Sequence, residues 1–309
     1  MATETYSAGR TEVRVRPPLW KQPRKWIAGY IFTAPAITFI VIFSIISIIV
    51  SLYISFFQYD VISEHSPYVG LGNYREALFE DDLFWRALKN TFLYVLGVVP
   101  AITVFGFLLA LIGYKARHGR SFFRTVYFLP SITPMVVIAL IWMWLYSPKG
   151  MLNEMLASVG IRGPNWLFDR HLALPSVMVM SVWQAVGYYT VIYLAGLADI
   201  PPDFYDAARV DGASWWQEVR YVTVPLLRNV TLFVTVTLAI GAFQVFTQVY
   251  IMTRGGPGTA TATLQFIIFR NAFQYFRMGY AAAISWLLFI AIFVLAMIQL
   301  RLNRSERIF

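Results

Sequence analysis

The chain has 309 residues, 58% of them hydrophobic and only 13% charged, with a mean hydropathy of +0.60. A water-soluble domain carries about 25% charged residues, so this composition excludes an ordinary globular surface and points to a bilayer as solvent. The net charge is +9, and cysteine is absent, which excludes disulfides and thiolate metal sites and leaves the redox compartment open.

In chain order, a basic tail over 1–25 comes first. Long runs without Asp, Glu, Lys or Arg then occupy 26–59, 90–114, 125–148, 171–198, 229–253 and 278–300. A hydrocarbon core of about 30 Å needs about 20 apolar residues in a helix, and every run is longer. The expected architecture is all-α, with six transmembrane helices at about 28–57, 91–114, 126–147, 172–198, 229–252 and 279–301. Together they make a six-helix membrane domain over 26–303, followed by a short tail over 304–309. The first run follows too long a tail and is itself too long to be a signal peptide. The uncharged stretch 255–269 opens on Gly255-Gly256-Pro257-Gly258 and is too short to span, so an external loop or short helix is expected there.

With the N-terminus inside, sixteen of the 25 Lys and Arg fall in inner segments and nine in outer ones, while the acids divide evenly. The positive-inside rule therefore predicts cytoplasmic N- and C-termini. It also explains the basic balance by anionic lipid headgroups rather than nucleic acid. Trp20, Trp26, Trp166 and Trp286 sit near expected span ends, where indole rings anchor at the interface. His65, His118 and His171 are scattered, so no metal site is expected.

The inner loop 199–228 is the most informative segment. Ile200-Pro201-Pro202-Asp203 starts a helix with proline in the first turn and an acid complementing its dipole. Gly212 stands where a helix end reverses the chain in a left-handed conformation. Ser214-Trp215-Trp216-Gln217 fits a capping box, and Pro225 leads into the fifth span. Two short helices joined by a glycine bend are expected.

Tyr205-Asp206-Ala207-Ala208-Arg209-Val210-Asp211-Gly212-Ala213-Ser214, continuing to Val222-Thr223-Val224-Pro225, resembles the EAA loop of permease subunits in binding-protein-dependent ABC importers. Asp206 stands where that loop has Glu, and Val222 and Val224 where it has Ile and Leu. Gly70-Leu71-Gly72-Asn73-Tyr74, Phe122-Phe123-Arg124-Thr125 leading to Leu129-Pro130, and Gly255-Gly256-Pro257 resemble the carbohydrate branch of the family. The resemblance covers about 28–303 and implies a type I, MetI-like permease core. It further implies a second permease, two ATP-binding cassette subunits and an extracytoplasmic solute-binding protein as partners, with a small carbohydrate as cargo. The coupling contacts it implies are Asp206, Ala207, Ala208, Asp211, Gly212 and Ala213.

The chain carries no G-x-x-x-x-G-K-[ST] motif. ATP and Mg are therefore expected on the partner subunits, with no cofactor, metal or catalytic residue here. For the substrate path, Ser181, Gln184 and Tyr188 share one face of the fourth span. Thr237, Gly241, Gln244 and Gln248 share one of the fifth, with Trp183, Tyr189 and Phe243 nearby. Amides and phenols can bind sugar hydroxyls, but the same pattern serves helix–helix hydrogen bonding, and spacing leaves both open. Spans free of Lys and Arg favour a neutral solute. The alternatives are another polar solute such as a glycerol phosphate ester, a membrane scaffold or enzyme subunit, or an ion-coupled secondary transporter. The last normally requires intramembrane acids, and these spans have none.

Overall fold

A computed structural model describes residues 23–60, 65–115 and 120–304. Most of the expected N-terminal tail and all but the first residue of the C-terminal tail lie outside them, as do 116–119 of the inner basic loop and 61–64. The chain divides into two units, Met1–Ser51 and Leu52–Phe309.

In the first unit, helix α1 (Pro23–Ile40) carries Pro35 and continues through a π segment, Val41–Ile46. Helix α2 (Ser47–Ile54) follows, crossing the division at Ser51. Tyr30–Ile54 has a mean hydropathy of 2.7, with apolar residues all round the helix. A helix apolar on every side is one that meets lipid or another subunit rather than water.

The second unit is helical throughout its spans. Helix α3 (Gly72–Arg75) and a π segment, Glu76–Glu80, precede the 34-residue α4 (Asp82–Lys115). Asp81 caps α4, its Oδ1 accepting the Leu83 N–H at 2.8 Å, and Lys115 closes it with a charge suited to the dipole's negative end. Helices α5 (Arg120–Ile132), α6 (Met135–Leu145), α7 (Met151–Ser158) and α8 (Ala173–Ala198) follow. The core lies where α4 and α8 meet. Tyr94, Val98, Ile102 and Ala110 recur at helical spacing on one side, and Val177, Met180, Gly187 and Leu194 on the other, all buried.

Among the described residues five helices are long and apolar enough to cross a membrane, and a bent pair makes a sixth crossing if it counts as one span. That pair is the third expected span, and it is not straight. Thr125–Ile132 and Met135–Leu145 meet at 107°. Pro134 has no N–H to continue the helix, and it pushes Thr133 out of the α region. The Thr133 hydroxyl donates to the Leu129 carbonyl at 3.0 Å, satisfying a group the break would otherwise strand.

The fifth expected span is also interrupted. Helices α9 (Pro202–Val210), α10 (Trp215–Gln217) and α11 (Val224–Leu226) form the inner loop with a π segment, Glu218–Thr223. Helix α12 (Arg228–Phe243) then stops, and α13 (Thr247–Met252) resumes after Gln244, Val245 and Phe246. The freed Val245 carbonyl accepts the buried Thr263 hydroxyl at 3.0 Å. Broken backbone at membrane depth survives only where protein or a wet cavity satisfies it.

Helix α14 (Leu264–Phe273) occupies part of the expected loop, and α15 (Met278–Arg304) is the last span. The preceding segment is tied down by α4: Asn90 donates to the Thr259 and Ala262 carbonyls at 2.9 Å each, and Thr91 accepts the Leu264 N–H at 3.0 Å. At the same end Arg277 pairs with Glu76 at 2.7 Å, and Asn73 donates to the Ser55 and Phe57 carbonyls. The Gly70–Tyr74 motif is thus a set of tethers rather than a free loop.

Candidate functional site: the coupling loop and the polar faces of the spans

The inner loop is built as its turn residues dictate. Asp203 sits in the first turn of α9, behind Pro201 and Pro202. At the other end Gly212 adopts φ +78°, the left-handed conformation that costs a side-chain-bearing residue most. Ala213 N–H donates to the Ala208 carbonyl at 2.9 Å, and Gly212 N–H to the Arg209 carbonyl at 3.0 Å. These two bonds define a Schellman end. The Gln217 side chain then accepts the Ser214 N–H at 2.6 Å, completing the expected capping box.

The loop is held to itself by charge. Glu218, 9% exposed, accepts from Arg209 Nε at 3.0 Å, and Arg209 also pairs with Asp206 at 3.1 Å. Tyr205 and Thr223 hydroxyls lie 3.1 Å apart, and Lys115 places its ammonium 4.3 Å from the Trp215 ring. Asp206 therefore does not stand as a free acid; its carboxylate is oriented by Arg209. Ala208 and Ala213 are half-buried in the turn, while Ala207, Asp211 and Gly212 face outward. Among the described residues nothing approaches within 4 Å of a notional Cβ on Gly212. The outer surface also bares Val210 (87% exposed), Phe204 and Trp216. Behind the loop a cavity of about 260 Å³ is lined by Tyr114, Lys115, Tyr205, Arg209, Trp215 and Glu218, among others.

The polar residues of the spans separate into two groups. Ser181 and Gln248 come together: Gln248 Nε2 donates to Tyr94 Oη at 3.0 Å and lies 3.4 Å from Ser181 Oγ, all three residues buried. Tyr94 was not singled out from the sequence; its partner lies 154 residues away. Gly241, Gln244 and Tyr188 are exposed, and Gln184 is half-buried. The break after Phe243 interrupts the single face expected for Thr237, Gly241, Gln244 and Gln248. Gln248 turns into the core while Gln244 stays outside it. Trp183 is 44% exposed and meets Trp142 at 5.6 Å, whereas Phe243 is fully buried. Trp166, expected as an interfacial anchor, donates its indole N–H to Asn153 at 2.8 Å and packs on Tyr146 at 5.7 Å.

Comparison with known proteins bears on this arrangement. The chain is 37% identical over 286 residues to a probable ABC transporter permease protein of Bacillus subtilis, YurN, covering 91% of this chain and 97% of that one. It is 33% identical over 288 residues to the lactose transport system permease protein LacF of Rhizobium radiobacter, covering 91% and 95%. Its fold matches a chain of the bacterial alginate ABC transporter solved with an alginate-pentasaccharide-bound periplasmic protein. That match has a TM-score of 0.83 at 24% identity and covers 94% of this chain and 98% of that one. Residues 102–308 match the family described as binding-protein-dependent transport system inner membrane component. A helical, multi-pass chain with this loop and these relatives belongs to that family of ABC transporter permeases.

Proposed function

We propose that this chain is the permease subunit of an ATP-driven importer for a carbohydrate, delivered from outside by a solute-binding protein. It would share the translocation path with a second permease and couple to two ATPase subunits through α9 and the turn at Gly212. The observation that carries this reading is the inner loop itself. Its turn is locked by a Schellman end, braced by the Asp206–Arg209–Glu218 charges, and exposes Phe204, Val210 and Trp216.

A braced helix can transmit displacement; a floppy loop cannot. When ATP closes the partner dimer, the force on Ala207, Val210 and Asp211 would pass through Arg209 to Glu218, and from there to the foot of α12. ATP and Mg belong to the partners in this reading, since the chain lacks a phosphate-binding loop. The cargo would contact Gln184, Tyr188, Gly241 and Gln244 on the exposed face. Ser181 and Gln248, closed on Tyr94, would form the seal beyond it. The lactose permease relative supports a sugar cargo, and spans without acids or bases support a neutral one.

The test is ATPase activity of the complex purified through this subunit, in lipid, with and without its binding protein and a panel of lactose, maltose and trehalose. Loaded binding protein should stimulate hydrolysis, and Gly212→Pro should abolish stimulation without preventing assembly. Proline cannot adopt the positive φ and cannot donate to Arg209. A complex in which no ATPase copurifies, with solute moving on an ion gradient instead, would replace this reading with a secondary transporter.

A further inference from the structure

The bend between α5 and α6 does more than break a span. Ser131, one residue before the end of α5, reaches α8 at one rung of its backbone ladder. Its hydroxyl donates to the Gln184 carbonyl at 2.8 Å and accepts the Tyr188 N–H at 3.1 Å. Those two groups are the i and i+4 partners that an α-helix joins to each other. A side chain inserted at such a rung is a recognised cause of local helix distortion. The approach is close by design of the sequence: a Cβ on Gly187 would lie 1.8 Å from the Tyr127 carbonyl oxygen and 3.0 Å from the Phe128 Cα. Only glycine lets α5 come near enough for Ser131 to reach.

We infer that Ser131 is a positioning residue for the substrate path, setting the rotation of Gln184 and Tyr188 on α8 by holding the backbone rung between them. It acts through the α8 backbone, not by touching cargo, and the inference rests on the path reading above. The two residues it joins are the ones the path needs aimed: Tyr188 is 53% exposed and Gln184 half-buried beside it. The bend at Pro134 gives the bridge its second property. Ser131 belongs to the outgoing end of a span that turns 107° immediately afterwards, so any change in that bend moves the rung.

The experiment uses the full complex in liposomes with its binding protein, and reads the uptake ratio of the two panel sugars transported fastest. Ser131→Thr and Ser131→Val have nearly the same shape and differ in the hydroxyl. The Val variant should shift the ratio by about threefold, the scale of one hydrogen bond in a membrane, and the Thr variant should leave it near the original. Ser131→Val added to Gln184→Ala and Tyr188→Ala together should shift the ratio no further than those two alone. Deuterium exchange of the peptide spanning 184–190 should quicken in the Val variant and not in the Thr variant. Equal shifts from Thr and Val, additive shifts on the Gln184→Ala, Tyr188→Ala background, or unchanged exchange in the Val variant would each overturn the role. If Gln184→Ala and Tyr188→Ala leave the ratio unmoved, the path reading is what fails, and the exchange measurement still decides the rung.

Discussion

The Gln248 amide links three helices by its side chain alone. It joins α13 to α4 through Tyr94 and to α8 through Ser181, with all three residues buried. Hydrogen bonds between membrane helices contribute about 0.6 kcal/mol on average and at most about 1.7. Gln248→Leu should therefore lower stability by about 1 kcal/mol, read as a reduced Tm in detergent. Adding Tyr94→Phe should cost less than its effect alone, because the partner is already gone. An unchanged Tm in Gln248→Leu would mean that the amide finds no net stabilisation there. Sequence reading reached Gln248 and Ser181 but not Tyr94, and it reached Asp206 but not the Arg209–Glu218 pair that braces it. The reason is geometric: Gly212 and the Ser214–Gln217 box are local chemistry, legible within a few residues. A contact across 154 residues leaves no spacing to read.

At the scale of elements, the absence of charge located the apolar segments, and the breaks within them were half legible. Pro134 announces an interruption, but its angle follows from what packs around it. The break at Gln244–Phe246 has no proline at all. There Thr263, 18 residues on, takes up the Val245 carbonyl that the break frees. The face expected from a continuous helical period failed at that break, and Gln244 and Gln248 parted company. The α5–α8 contact also belongs to this scale. Gly187→Ala would set a methyl against the Tyr127 carbonyl, where backbone rather than a flexible side-chain end must give. Overpacking of this kind costs about 1–3 kcal/mol, so a lowered Tm is expected together with slower uptake. Normal stability in Gly187→Ala would show that α5 can withdraw freely.

For the whole molecule, the division of Lys and Arg predicts which ends face the cytoplasm, and the chain lends itself to a direct measurement because it has no cysteine. Val210 and Phe168, 87% and 76% exposed, stand on loops expected on opposite sides. In intact cells a membrane-impermeant maleimide should label Phe168→Cys and spare Val210→Cys until the membrane is opened. The reverse pattern would invert the topology and put α9 beyond reach of a cytoplasmic ATPase. Family membership was readable from the loop between the fourth and fifth spans. That loop carries its own turn chemistry, whereas the spans, built from interchangeable apolar residues, carry little that distinguishes one membrane protein from another.

The Tyr94–Gln248–Ser181 knot has an electrical consequence. In the path proposed here it closes the route with three neutral groups. A sodium ion shedding its hydration there would find dipoles but no fixed charge, and moving an unpaired ion into an apolar interior costs tens of kcal/mol in the idealised limit. On that reading the resting subunit would hold back the ion gradients its membrane maintains, while offering hydroxyl and amide partners to a solute that carries no charge.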